Sequence, residues 1–270
     1  MTNKEEILST IHTKSIIEQG ASIGQGTNIG ECCHIGNAVT IGKNNTIGSH
    51  TVITGNTTIG DHNHIDSYTV LGTDPQDLKV PSDLVSLCIG DNNHIGSYSL
   101  INVGTDHGGG VTKIGNNNKL MKKIHLGHDV QMGDNCLMEY NSALGGHVIV
   151  GNNVCFMDSS AVHQFVEIGD FAYIAKDTAL TQDIPPYCKA KGNRAKVAGI
   201  NLGILKDSFS DIQISKIATA YSHLFDTNLS PKDTAVNALE QESSVELKKL
   251  YQFIVNSKRG IPFKRKTNVN

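Results

Sequence analysis

The stretch GASIGQGTNIGECCHIGNAVTIGKNNTIGSHTVITGNTTIGDHNHIDSYTVLG, residues 20–72, decides the fold. Taken every sixth residue it gives Ile23, Ile29, Ile35, Ile41, Ile47, Ile53, Ile59, Ile65 and Leu71, and the series extends backward through Ile17 to Ile11. Glycine follows the aliphatic residue at Gly24, Gly30, Gly36, Gly42, Gly48, Gly60 and Gly72, and Asn or Asp fill the positions beyond, as in GKNN and GDHN. This is a hexapeptide repeat. Each hexad supplies a short strand and a tight turn, three hexads close one triangular coil, and the aliphatic points into the prism. Glycine and asparagine provide the positive φ of the turns. The expected fold class is mainly β, a left-handed parallel β-helix followed by a small C-terminal α-helical domain. Each buried aliphatic contributes about 1.5–3 kcal/mol before chain entropy is subtracted. Stability is then close to a sum of neighbour interactions, and no single rung is indispensable.

Two interruptions stand out. The series stops at Leu71 and resumes with Ile89, Ile95 and Ile101; this gap of 18 residues reads as one whole coil, with residues 73–86 projecting as an external loop. After Ile101 the glycine-rich GTDHGGGVTK intervenes, and the spacing of 13 to Ile114 marks a second loop at 103–112. From Ile114 the ladder runs on to Leu180 and is expected to end at QDIPPYC, where Pro185 and Pro186 stop it. Excursions from a solenoid are where binding features collect. The chain divides into a β-helix over 1–191 and a connector plus helical region over 192–270, with 192–204 as the connector. Ser210 with Gln213, Ser230 with Pro231, and Ser243 with Glu246 predict the starts of three amphipathic helices.

Composition agrees with a narrow tube, since the chain has no tryptophan and only 5% aromatic residues with which to fill a wide core. A net charge of −3 gives no footprint for nucleic acid or an anionic membrane. The six cysteines form no C-x-x-C pair and read as reduced thiols in a cytoplasmic protein. The opening MTNKEEILST is too polar for a signal peptide, and no stretch reaches the roughly 18 apolar residues of a spanning helix, so no stable membrane insertion is expected.

Coil spacing also gathers chemistry. Leu126, Leu144 and Val162 lie 18 residues apart and should stack on one wall, which places His125, His128, His147, His163 and Gln164 together along one edge. Adjacent coils are about 4.8 Å apart. A histidine near neutral pKa suits proton abstraction from a hydroxyl or amine, and Asp129 beside His128 is placed to fix its tautomer. His34, His50, His62, His64 and His94 read as solvent-facing turn residues. Two other readings compete: a three-histidine zinc site with an open position, as in a carbonic anhydrase of this fold, and a non-catalytic β-helix used for assembly.

Several segments together carry a family resemblance: QDLK at 76–79, GGGVTKIG at 108–115, IHLGHD at 124–129, GGHV at 145–148, AVHQF at 161–165, DIPPY at 183–187, GNRA at 192–195 and SKRG at 257–260. In order and spacing the chain resembles the UDP-N-acetylglucosamine O-acyltransferases of the lipid A pathway over nearly its whole length. The resemblance implies a cytoplasmic homotrimer with sites between subunits, a 3-hydroxyacyl thioester on acyl carrier protein as donor, a UDP-sugar as acceptor, and neither metal nor other cofactor. On that basis His128 is the general base, Asp129 orients it, and the Gly146 N–H receives the oxyanion. Asp77, Lys79, His125, His147 and Gln164 would contact the sugar and its phosphates, and His163 and Asn201 the nucleotide. Lys176 occupies the position that sets acyl-pocket depth, where the family's familiar members have glycine. Two further departures are Lys206-Asp207-Ser208 in place of an arginine pair, and Asn102 in place of a frequent histidine. The basic residues Lys258, Arg259, Lys264, Arg265 and Lys266 read as a solvated terminus, with docking of the acidic carrier as the second reading. A related enzyme that acylates the glucosamine nitrogen would carry an extra N-terminal domain, for which a repeat starting by Ile11 leaves no room.

Overall fold

The computed structural model describes residues 9–77, 84–226 and 229–263. Short strands, most of two residues, stack into three sheets of 11, 9 and 8 strands that form the walls of a left-handed triangular prism. The first wall runs from Thr10–Ile11, the second from Ile16–Ile17 and the third from Ser22–Ile23. Within each wall the strands are parallel, except for the last strand of the first wall, with registers such as Ile29↔Ile47, Ile35↔Ile53 and Ile41↔Ile59. The sixfold aliphatics form the core: Ile35, Ile53, Ile65, Leu71, Ile95 and Ile101 are fully buried, whereas Ile11 at the open first coil is 41% exposed.

Each hexad has a second inward position, two residues before the aliphatic, and it is often polar. Thr27, Asn45, Thr51, Asn63, Asn93 and Asn118 are all buried. All four asparagines pass a hydrogen bond along the axis: the Asn45, Asn63, Asn93 and Asn118 Oδ1 atoms accept the backbone N–H of residues 63, 93, 118 and 136 at 2.7, 2.8, 2.9 and 2.8 Å. In GKNN and GDHN only the third residue of the four, Asn44 or His62, takes the left-handed turn; the fourth turns inward. Outside the prism, Asp61, Asp91, Asn116, Asp134, Asn152 and Asp170 form a parallel ladder, each capping the backbone N–H one coil below. Several histidines expected merely to face solvent also have partners. His34 meets Glu18 at 2.7 Å, and His64 and His94 share Asp66 at 3.1 and 3.2 Å.

The first interruption differs from its sequence reading. Ile89 does not sit above Leu71; it pairs with Ile59 on the third wall, 30 residues away rather than 18. The excursion therefore adds twelve residues within a coil, and the phase survives because twelve is two hexads. The second interruption separates Ile89 from Ile114 by 25, an insertion of seven. The prolines do not stop the ladder either, since Ile184 bridges Ile168 and Cys188–Lys191 adds one more parallel strand beside Tyr173–Ile174.

Inside the expected connector, Lys196–Ile200 pairs back antiparallel on Cys188–Lys191 and closes that edge of the sheet. Four helices follow: α1 (Leu202–Ser208), α2 (Asp211–Asp226), α3 (Pro231–Leu239) and α4 (Val245–Asn256). The short α1 has no capping box and was not expected. Ser210 and Gln213 make the reciprocal bonds of a capping box, and Ser230 caps α3. For α4 the cap is Ser244 rather than Ser243, because the Ser244 Oγ accepts from Leu247 N while also meeting Glu246. The chain then runs back along the tube, fastened by Asp183, whose carboxylate accepts from Ser257 Oγ (2.7 Å) and Arg259 N (3.1 Å). Among the described residues no helix is long and apolar enough to cross a membrane.

Candidate active site

The candidate site lies on the edge between the second and third walls, where the chain turns from Leu126 to Met132. Pairing of His125 with Ala143 and of Ala143 with Ala161 fixes the stacking of three successive coils. The expected histidines occupy four adjacent columns, not one. His125 is on the second wall with Ala143 and Ala161; beside it stand Gly127, Gly145 and His163; then His128, Gly146 and Gln164; then Asp129, His147 and Phe165. A histidine changes column with each residue of offset within its hexad, which is why equal coil spacing of the aliphatics did not imply vertical alignment of the imidazoles.

Asp129 organises the centre. Its side chain is wholly buried, and Oδ2 lies 2.8 Å from His128 Nδ1. The second excursion supplies its other partners: Thr105 donates its backbone N–H at 2.9 and 3.1 Å to the two oxygens and its hydroxyl at 2.6 Å to Oδ2. Thr112 accepts the Asp129 N–H at 2.8 Å. Gly108 lies over the carboxylate so closely that a Cβ there would stand 2.2 Å from it and 2.4 Å from His147 Cε1. Thr105, Gly108 and Thr112 were invisible as site residues in sequence, although GTDHGGGVTK marked the segment that carries them.

With Nδ1 engaged by Asp129, His128 is left with Nε2 for chemistry. That nitrogen lies against Gly146, where a Cβ would be only 2.6 Å away. Among the described residues no acceptor is found for the Gly146 N–H. His147 meets His128 edge to face at 4.9 Å and stacks on Phe165 at 4.3 Å. Burial pushes the His147 pKa down, opposed by the charges of Asp129 and Asp77. Burial likewise lowers His125, whose Nδ1 lies 3.2 Å from the Leu100 carbonyl. Asp77 thus reaches the site electrostatically, whereas Lys79 lies outside the described residues.

The remaining candidates are dispersed. His163 is exposed, with Nδ1 3.4 Å from Arg259 Nη2, and Gln164 is exposed above Gly146. Asn201 is buried and donates to the Phe171 carbonyl at 3.1 Å, a contact that accounts for it without a ligand. Lys176 is exposed on a different edge, between the first and second walls. Asn102 is buried and donates to Thr73 and Asp74 at the root of the first excursion. Lys206, Asp207 and Ser208 end α1 on the surface.

His128, Asp129 and His147 lie close enough to raise the question of a metal. The donor set does not fit zinc: Asp129 Oδ2 already accepts from the Thr105 hydroxyl and faces His128 Nδ1, so the lone pairs a cation needs point into hydrogen bonds. Beside this group a cavity of about 250 Å³ is lined by Gly108, Asp129, His147, Phe165, Glu167 and Lys258. A larger groove of about 590 Å³ between the third wall and α4 contains neither His128 nor His147.

Fold and edge together place the chain among the hexapeptide-repeat transferases, whose bacterial family profile matches residues 20–55 and 38–73. It belongs to the UDP-N-acetylglucosamine O-acyltransferase family. The profile for domain 2 of that family matches residues 183–262. A Sulfurovum acyl-[acyl-carrier-protein]–UDP-N-acetylglucosamine O-acyltransferase is 47% identical over 260 residues, covering 96% of this chain and all of the relative. Among solved structures, the Campylobacter jejuni UDP-N-acetylglucosamine acyltransferase superposes with a TM-score of 0.91 at 36% identity, over 95% of this chain and 100% of that one. The Francisella novicida enzyme does so at 0.91 and 32%, over 95% of each.

Proposed function

We propose that the chain transfers a 3-hydroxyacyl group from the thioester of acyl carrier protein to the 3-position of UDP-N-acetylglucosamine, the first step of lipid A assembly. The observation that carries this reading is the His128 imidazole, held through Nδ1 by a buried carboxylate and presenting Nε2 beside the Gly146 backbone. Nε2 takes the proton of the sugar hydroxyl as its oxygen attacks the thioester carbonyl. The Gly146 N–H donates to the developing oxyanion. Collapse breaks the C–S bond, and the proton on His128 goes to the departing thiolate. Asp129 stabilises the imidazolium without itself changing protonation. Asp77, Lys79, His125, His147 and Gln164 orient the sugar and its phosphates, and His163 the nucleotide; Asn201, engaged by the Phe171 carbonyl, keeps a structural role. No cofactor is required.

The working unit is a cytoplasmic homotrimer. Support comes from the second wall, whose outward strand positions are Ile16, His34, Val52, Val70, Leu100, His125, Ala143, Ala161 and Ala179, mostly apolar, while the first wall mixes Thr46, His64, His94 and Lys119 with Leu137, Cys155 and Tyr173, and the third mixes Thr40, Lys113, Gln131 and Glu167 with Ile149. Packing the apolar wall around a threefold axis sets the Lys176 edge of one subunit toward the His128 edge of the next. Lys176 then limits the length of acyl chain accepted.

The test is His128→Ala. Turnover of acyl carrier thioester with the UDP-sugar should fall by about 10²–10⁴, with trimer and Tm retained. Undiminished turnover removes His128 as the base. Mass spectrometry of products from mixed acyl donors, with UDP-N-acetylglucosamine and its 3-amino analogue as acceptors, identifies chain length and acceptor atom.

A further inference from the structure

Lys258 and Arg259 were expected to belong to a solvated basic terminus with Lys264, Arg265 and Lys266; the last three lie outside the described residues, and the segment carrying the first two is fastened to the last coil although Lys258 remains exposed. The segment is fastened through its backbone: Arg259 N donates to Asp183 Oδ2, Asp183 N donates to the Gly260 carbonyl at 3.0 Å, and Gln182 Nε2 donates to the Arg259 carbonyl at 3.3 Å. Val197 N holds the Pro262 carbonyl just beyond. Asp183 is itself 1% exposed and also caps Glu167 N, so the clamp is part of the last coil.

This clamp delivers two cations to the candidate edge. Lys258 lines the cavity with Asp129 and His147, and its charge acts on Glu167. Arg259 is anchored by Nε on the Thr181 carbonyl at 3.1 Å, and its Nη2 stands beside His163. Among the described residues no carboxylate lies within ion-pair distance of the guanidinium. An arginine fixed by Nε, with Nη2 shared only with His163 Nδ1 at 3.4 Å and its other guanidinium N–H groups facing the catalytic edge, is built to receive an oxyanion. Asp77, Asp129 and Glu167 put negative charge on this edge, so an anionic phosphate ester brought to it calls for a cation such as Arg259.

We infer that Arg259 forms a phosphate subsite with His163, taking either the diphosphate of the nucleotide sugar or the phosphodiester of the carrier's prosthetic arm. The inference rests on the transferase reading. Because the clamp uses main-chain atoms of residue 259, its side chain can be changed while the segment stays in place.

Steady-state kinetics of full-length Arg259→Gln and Arg259→Met decide it, the second keeping the packed stem if the first disturbs the fold. The KM for one phosphate-bearing substrate should rise about ten- to a hundredfold, with kcat within about threefold. Arg259→Lys should recover part of the loss, since it restores charge without the planar fork. A rise confined to the UDP-sugar assigns the diphosphate; one confined to acyl carrier protein assigns the prosthetic arm. Folded neutral variants with both KM values within twofold of wild type overturn the subsite and leave Arg259 a strut. A wild-type protein with no transferase activity would instead defeat the functional reading.

Discussion

At the scale of single residues, the site depends on absences as much as on functional groups. Gly146 leaves room for an imidazole that a methyl group would meet at 2.5 Å, and Gly108 leaves room for a carboxylate. Gly146→Ala should therefore displace His128 by a fraction of an ångström and lower kcat about a hundredfold, with Tm little changed. A rate comparison with unfolding of the same variant checks this; wild-type turnover would mean that the ring does not work from its observed position. Asp129 was legible in sequence as the neighbour of His128. Its hydrogen-bonding partners were not, because Thr105 reaches it across 24 residues of chain and only the return of the second excursion closes that distance.

At the scale of elements, the sixfold ladder was readable because a β-helix writes its period directly into the order of side chains. The same reading miscounted the first excursion, since a gap equal to one coil cannot be told from two inserted hexads when only spacing is known. It also took buried asparagines for turn residues. Position in the hexad decides between those roles, and sequence shows both as Asn. The internal ladder bears weight: in Asn93→Ala the backbone N–H of Asn118 loses its 2.9 Å acceptor, and Asn63 Oδ1 and the Gly115 carbonyl each lose a donor. The expected cost is about 1–3 kcal/mol. Thermal unfolding should show it as a lowered Tm, and an unchanged Tm would mean that water replaces the missing amide. Strand Lys196–Ile200 and α1 escaped sequence reading because their order comes from docking on the last coil. Neither carries a repeat or a capping box.

At the scale of the whole molecule, the three walls are not equivalent. The second presents mainly Ile, Val, Leu and Ala, interrupted by His34 and His125, whereas the other two mix polar residues with Leu137, Tyr173 and Ile149; the two excursions break the spacing of eighteen, so the difference is apparent only once the walls are assigned. If the second wall is the threefold contact, Ala161→Glu places a charge in it on each subunit. The variant should dissociate to monomers and lose transferase activity, as light scattering and turnover would report together. An active Ala161→Glu monomer would place the complete site within one chain. The segment returning from the helices is clamped on Asp183 of the last coil, and its contribution to the edge site comes through Lys258 and Arg259.

Asp129, His147 and Phe165 share one corner column, with φ of 59°, 61° and 63°. Other corners of the same tube meet this left-handed requirement with Asn135, Asn141 and Asn153, residues that tolerate it better. An acid, an imidazole and a phenyl ring therefore stand in succession where the backbone alone would favour asparagine or glycine. The tube bears the same cost at His50, Tyr68, Tyr98 and Lys123, so what sets this column apart is that its strained residues converge on the imidazole of His128.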